Sequence, residues 1–209
     1  MFLPKIYPIT DCRLSHLTHT EQVEKLIAGG ATLIQLREKY AAPDDFYEQA
    51  KSAIEIARKH NVKIIINDRV DLALVLKADG VHLGQDDLSP IEARKILGGN
   101  AIIGLSTHNL AQALKAVKLP VDYAAIGPIF TTKTKENPDQ EVGLENVENI
   151  RRAIGNLPLV AIGGINSTNF LEVLTAGADS TAIISDLISD SSKITEKMSE
   201  LLSSSKERV

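Results

Sequence analysis

Ile64-Ile65-Ile66-Asn67-Asp68-Arg69 is followed a short interval later by Ala78-Asp79-Gly80-Val81-His82-Leu83-Gly84-Gln85-Asp86-Asp87. Each apolar run delivers amide and acidic side chains where it stops. Between them, Val70 to Lys77 carries apolar residues at 70, 72, 73, 74, 75 and 76, room for about two helical turns. The pattern is strand, short helix, strand, with Asp68 and Asp87 leaving the same ends of neighbouring parallel strands. Two carboxylates meeting there, with no cysteine and little histidine nearby, suit a hard, oxygen-seeking ion such as Mg²⁺. Aspartates at strand ends also cap the helices that follow them. Spacing alone leaves both roles open.

The same alternation extends in both directions. Lys5 to Thr10 is a short β-prone run, and Asp11 follows it. From Thr18 the spacing turns helical, with Val23, Leu26 and Ile27 on one face and Gly29-Gly30 as the stop. Ala31 to Lys39 reads as the second strand, with Gln35, Arg37 and Lys39 on one face and Leu36 and Glu38 on the other. Pro43 opens a long helix that buries Phe46, Ala50, Ala53, Ile54 and Ala57. Ser89-Pro90 starts another, expected to turn Ile91, Ala93, Ile96 and Leu97 inward before Gly98-Gly99. Further strands fall at Ala101–Ser106, Asp122–Pro128, Pro158–Gly164 and Thr181–Ser185, with helices at Asn109–Val117, Leu144–Ile154 and Ser167–Ala176. A last amphipathic helix spans Ile194–Leu202, and the tail Ser203–Val209 is expected to fray. The long polar stretch Phe130–Val142 has the length and composition of a functional loop, expected to act as a lid.

Eight strands alternating with eight helices predict a single-domain α/β protein, a (β/α)8 TIM barrel over residues 1–209. Continuously apolar strands agree with a sheet covered on both faces. An open doubly wound sheet is the alternative, weakened because no Gly-x-Gly-x-x-Gly turn follows the first strand. Hydrophobic residues make up 44% of the chain, charged residues 24%, and the formal net charge is −4, so no global basic field attracts nucleic acid. An anionic ligand must therefore be held by a local basic cluster. The single cysteine, Cys12, excludes an intrachain disulfide and is expected to be an incidental half-buried residue. No apolar run approaches the roughly 18 residues of a membrane span, and residues 1–10 lack the pattern of a signal peptide. A cytoplasmic protein is the expectation, and a homo-oligomer is compatible with the sequence.

A barrel of this kind carries its active site at the carboxyl ends of its strands. Those ends offer Gln35, Arg37 and Lys39, then Asn67 and Asp68, then Asp87, then Ser106. The later ends add Thr131, Thr132, Lys133, Thr134 and Lys135, then Gly163-Gly164, then Ile184-Ser185. Basic, hydroxyl and amide groups dominate, which describes anion binding at two places. Gly163-Gly164-Ile165 before Asn166-Ser167, together with Ser185, is arranged like a phosphate site in which backbone N–H groups donate. Arg37, Lys39 and Lys135 form a second basic group near the aspartate pair, Arg giving forked contacts and Lys a point charge. Carboxylates beside these cations make sense around a Mg²⁺–pyrophosphate group. Lys133 by itself reads as a solvated charge. His82, inside an apolar strand, reads as a satisfied core histidine, and His108, at a helix start, is the more open proton handler.

Together, Gln35-Leu36-Arg37-Glu38-Lys39, Asn67-Asp68, Gly80 to Asp87, Gly104-Leu105-Ser106, Gly127 to Lys135, Gly163-Gly164-Ile165 and Ile184-Ser185 resemble the thiamine-phosphate synthase family over almost the whole chain. The resemblance implies a transferase that condenses hydroxymethylpyrimidine pyrophosphate with thiazole phosphate, giving thiamine phosphate and pyrophosphate. By the family pattern, Asp68 and Asp87 hold Mg²⁺. Gln35, Leu36, Arg37, Glu38, Lys39, Asn67, Ser106 and Lys135 would bind the pyrimidine pyrophosphate. Thr132, Lys133, Thr134, Gly164, Ile184 and Ser185 would hold the thiazole phosphate. Lys135, Arg37, Lys39 and Ser106 would carry catalysis, in which pyrophosphate departs first and the thiazole nitrogen captures the resulting cation. Arg69 stands where some relatives carry a second acid, so a third carboxylate is not implied. Two alternatives are a thiazole tautomerase-type barrel, which needs no metal, and a non-catalytic barrel that binds thiamine precursors. Intact Asp68, Asp87, Lys39 and Lys135 count against both.

Overall fold

Eight parallel strands pair in chain order and close on themselves, β8 returning to β1. They are β1 (Ile6–Thr10), β2 (Leu33–Leu36), β3 (Lys63–Asn67), β4 (Gly80–Leu83), β5 (Ile102–Thr107), β6 (Tyr123–Ile126), β7 (Leu159–Ile162) and β8 (Ser180–Ile183). The computed structural model describes residues 3–132 and 140–206. Residue for residue the strands are almost wholly buried, because one face packs into the barrel and the other under the helices. The inner core holds Tyr7, Ile9, Leu33, Ile65, Ile102, Tyr123 and Val160. Ile6, Ile34, Ile64, Ile66, Val81 and Ile103 face outward into the larger core beneath the helices.

The helices are α1 (Cys12–Ser15), α2 (His19–Ala28), α3 (Pro43–Lys59), α4 (Val70–Val75), α5 (Pro90–Leu97), α6 (Leu110–Ala116), α7 (Leu144–Ile154), α8 (Phe170–Thr175), α9 (Ser185–Ile188) and α10 (Ile194–Lys206). Thr18 and Glu21 close a reciprocal capping box at the start of α2, satisfying two backbone donors. Pro43 sits in the first turn of α3, whose buried side is the expected Phe46, Ala50, Ala53, Ile54 and Ala57. The short α1 and α9 have no counterpart in the sequence reading, since four residues are too few to show a helical period. Asp11 makes α1 possible by accepting the Arg13 and Leu14 amides.

Two expectations are corrected. Along α5, Ala93 is buried as foreseen, but Ile91 and Ile96 are 46% and 45% exposed. A helix of this length lays only a narrow line on the barrel, and α5 is anchored besides by Arg94, which bonds Pro120 O and Asp122. The tail expected to fray from Ser203 instead continues α10 to Lys206, with Ser205 only 5% exposed. Ser203 and Ser205 turn their hydroxyls back onto the Ser199 and Leu202 carbonyls, so their polar groups stay within the helix. Residues 207–209 of that tail lie outside the described residues.

The amino end of the barrel is held by aspartates that immediately precede strands. Asp79, Asp122 and Asp179 each accept the amide at the start of the preceding strand, from Ile64, Ile103 and Leu159, all at 2.8 Å. Arg94 pairs with Asp122 at 2.7 Å and Arg151 with Asp179 at 2.8 Å.

Candidate active site

Over the carboxyl ends of the strands opens a cavity of about 680 Å³, lined from β2 round to β8. One arc is charged. Strand β2 stops at Leu36, short of the expected Lys39, so Arg37 and Lys39 ride on the connecting backbone. The alternation nonetheless survives: Gln35, Arg37 and Lys39 line the cavity. The side chains of Leu36 and Glu38 do not. Leu36 is packed in the outer core. Glu38 turns away, its Oε1 accepting the Lys39, Tyr40 and Ala41 amides at 2.8, 2.8 and 3.1 Å. Its Oε2 lies 3.5 Å from His19 Nε2. That contact first, and the backbone amides after it, hold the Glu38 carboxyl down at about 2. Glu38 thus shapes the loop that carries Lys39.

Arg37 Nη1 donates to Asp11 Oδ2 at 2.6 Å, and the other Asp11 oxygen caps α1. The sequence inventory missed this acid; its only signal was its place directly after β1. Lys39 Nζ pairs with Asp68. Asp68 has φ +62°, and its amide donates to His82 O at 2.8 Å. Neither cavity aspartate caps a helix: Arg69 occupies the cap of α4, and Ser89 caps α5 through its hydroxyl. Asp87 Oδ2 instead accepts the Gly84 amide at 2.7 Å. Burial pushes the Asp87 carboxyl above its ordinary value; the Gly84 amide opposes the rise and the adjoining Asp68 adds to it. Asp68 and Asp87 together form an oxygen-only donor pair that a hard divalent cation would fit, with further oxygens from water or ligand.

Cys12, His19 and Glu38 also bring donor atoms within 4.8 Å of one another. Glu38 is already committed there, its Oε2 facing His19 Nε2 and its Oε1 taken up by three backbone amides. Burial and the nearby Glu38 and Asp11 push the half-buried Cys12 thiol up to about 12, so it stays protonated and incidental.

Among the described residues, the facing arc is neutral. Gly127, Pro128, Thr132, Gly163, Gly164, Ile165, Ile184 and Ser185 line it. Gly163 and Gly164 adopt φ of +99° and +66°, and a Cβ on Gly164 would lie 2.7 Å from both Phe130 Cβ and Thr131 O. Only glycine fits there, which leaves the backbone itself as the cavity wall. Thr131 bonds Glu141 beside this wall. Lys133, Thr134 and Lys135, with most of the expected lid, lie outside the described residues.

Between the arcs, the floor is polar. Gln35 Nε2 donates to Tyr7 Oη at 3.1 Å, and Tyr7 Oη lies 3.1 Å from Tyr123 Oη. Tyr123 Oη is 2.9 Å from His82 Nδ1, and His82 Nε2 is 2.8 Å from Ser106 Oγ. His82 is therefore the satisfied histidine the sequence suggested, and burial drives its pKa down to about 4, leaving it neutral. Asn67 lies beside it in register. His108, at the rim, donates from Nδ1 to Gly127 O at 2.7 Å. Gln85 and Gln112 also line the cavity, though nothing in their spacing distinguished them from surface amides.

Residues 6–187 match the family described as thiamine monophosphate synthase. The chain is 43% identical over 185 residues to a thiamine-phosphate synthase of Chloroflexus aurantiacus, covering 88% of this chain and 85% of that one. It is 46% identical over 186 residues to one of Clostridium novyi, covering 88% and 90%. The solved thiamine phosphate pyrophosphorylase of Pyrococcus furiosus superposes with a TM-score of 0.87 at 37% identity, covering 97% of this chain and 96% of that one. Among the described residues, no helix is long and apolar enough to cross a membrane.

Proposed function

The chain belongs to the thiamine monophosphate synthase family of transferases, and on that premise we propose that it condenses hydroxymethylpyrimidine pyrophosphate with thiazole phosphate in a Mg²⁺-dependent reaction. The observation that carries this is one cavity with a charged arc facing a glycine-walled arc. The charged arc suits a pyrophosphate and its counter-ion. The backbone-walled arc suits a single phosphate.

In this scheme Gln35, Asn67 and Ser106 hold the pyrimidine over the floor, and Arg37, Lys39 and Lys135 take the pyrophosphate oxygens. Asp11 keeps Arg37 aimed, so its fork is ordered before a ligand arrives. Gly164, Ile184 and Ser185, with Thr132, Lys133 and Thr134, place the thiazole phosphate opposite. Asp68 and Asp87 would hold the Mg²⁺, which offsets negative charge growing on the departing oxygens. The scissile C–O bond breaks with its electron pair leaving on pyrophosphate, and the thiazole nitrogen lone pair then bonds the pyrimidine methylene carbon. No protein nucleophile is needed, so the residues act by alignment and charge. A tautomerase would have no pyrophosphate for Arg37 and Lys39 to manage.

A cytoplasmic homo-oligomer completes the proposal. Leu74 and Val75 on α4, Leu88 and Ile91 at α5, and Leu110, Leu114 and Val117 at α6 expose apolar area that self-association would cover, which light scattering measures. The function is tested by supplying both heterocycles with and without Mg²⁺. Thiamine phosphate and pyrophosphate should appear in equal amounts, only with the metal; their absence in its presence would overturn the assignment.

A further inference from the structure

The five side chains of the floor form one continuous chain through the inside of the barrel, Gln35–Tyr7–Tyr123–His82–Ser106. They come from β2, β1, β6, β4 and β5, so only the closed barrel brings them together. Gly104 makes room for it. A Cβ at that position would lie 2.1 Å from Tyr123 Cζ and 2.6 Å from His82 Nδ1, so glycine is what lets the phenol reach the imidazole. Tyr7 and Tyr123 are fully buried, and burial raises both phenols, Tyr7 to about 12 and Tyr123 well above 10, so each keeps one proton. His82, buried between the Tyr123 and Ser106 hydroxyls, has neutral partners on both ring nitrogens and carries one proton as well.

One proton per link makes the chain directional. Gln35 Nε2 donates to Tyr7. Tyr7 then has its own proton to give to Tyr123, Tyr123 gives its proton to His82 Nδ1, and His82 must hold its proton on Nε2, facing Ser106. Ser106 accepts that bond, which leaves its hydroxyl proton for the cavity. At the other end the Gln35 amide, with nitrogen committed inward, has its carbonyl to offer. Reversing either end requires every proton between them to reverse.

We propose that Tyr7, Tyr123 and His82 are positioning residues that couple Gln35 to Ser106, so that the two present one hydrogen-bond acceptor and one donor to the heterocycle and never two alike. The direction in the structure puts the acceptor at Gln35 and the donor at Ser106. The complementary ring carries an N–H donor toward Gln35 and an unprotonated ring nitrogen toward Ser106, as an aminopyrimidine does. The corresponding oxo-pyrimidine inverts both groups. This assignment of ring specificity rests on the pyrimidine reading above.

The test compares kcat/KM for aminopyrimidine pyrophosphate and its oxo analogue in the wild type, Tyr7→Phe and Tyr123→Phe. Each phenylalanine keeps the ring and removes one link, freeing Gln35 or Ser106 to turn by itself. Wild-type discrimination of about 10² or more, the level expected where a mismatched ligand leaves buried polar groups unpaired, should fall to about tenfold in both variants. The KM for thiazole phosphate should stay unchanged, which a general loss of structure would not allow. Ring-nitrogen NMR, with His82→Asn to assign the signal, should show wild-type His82 protonated on Nε2 alone at neutral pH. Undiminished discrimination in both variants, or an Nδ1 proton on His82, would sink the coupling. Failure of the wild type to form any thiamine phosphate would instead overturn the functional reading beneath it.

Discussion

Aspartates at the two ends of the barrel do opposite work. At the amino end, Asp79, Asp122 and Asp179 each find a strand-initial amide at 2.8 Å, and two of them find an arginine as well. At the carboxyl end, Asp68 and Asp87 sit close enough to raise the proton affinity of Asp87, with Lys39 as the nearby cation. The physical reason lies in the parallel strands. At their starts the strands present N–H groups that an acid can satisfy, whereas past their ends Asp68 and Asp11 take Lys39 and Arg37, and Asp87 takes the Gly84 amide of its own loop. The partners an aspartate finds beside a strand therefore depend on which end it occupies.

The largest effects should come from removing cations at the carboxyl end. Lys39→Ala should lower kcat by about 10²–10³, as expected for loss of a preorganised group that meets developing charge, with melting temperature little changed. Stopped-flow or quench measurements of pyrophosphate release would show it, and an unchanged chemical step would break the contrast between the ends. Lys135→Ala is expected to act in the same way on kcat and not on thiazole affinity.

Next in size is the neutral arc. Gly164→Ala forces a side chain onto φ +66° and against Phe130 and Thr131. It should raise the KM for thiazole phosphate by roughly 10–100-fold, since strain of about 1–3 kcal/mol is placed on the backbone of that arc. Ser185→Ala, which removes a hydroxyl without moving backbone, should raise the same KM less. Steady-state kinetics with each substrate varied in turn separates the two arcs.

Asp87→Asn sharpens the comparison at its centre. Asn still accepts the Gly84 amide but carries no charge, so the fold should hold while the Mg²⁺ concentration for half-maximal activity rises about tenfold or more, as for loss of one of two carboxylate ligands. Superimposable Mg²⁺ titrations would remove Asp87 from the metal assignment. Asp122→Asn at the other end is the mirror experiment and the smallest effect. It should cost about 1 kcal/mol through the weakened Arg94 pair, a few degrees in melting, with kcat and KM unchanged.

Much of this was legible along the chain. The 3.6-residue period of α3 and α7 and the apolar runs of β3 and β4 are local properties, and local chemistry governs them. The alternation Gln35, Arg37, Lys39 told which side chains enter the cavity even though β2 ends early, because backbone extended past a strand keeps its two-residue period. The exposure of Ile91 and Ile96 and the persistence of α10 to Lys206 were not legible. Both depend on how much of a helix its neighbour covers, and no window of sequence contains the neighbour.

The site divides in the same way. Sequence by itself determined that acids, amides, cations and glycines stand at successive strand ends, because each lies within a few residues of the run that positions it. Only the closed barrel decided that Asp11 would hold Arg37, that Asp68 and Asp87 would meet instead of capping α4 and α5, and that two tyrosines would join Gln35 to Ser106. Those contacts cross between strands: Tyr7 and Tyr123 stand 116 residues apart. Such a pair leaves no local trace, since each tyrosine in its own strand reads as one more buried aromatic until barrel closure sets their hydroxyls 3.1 Å apart.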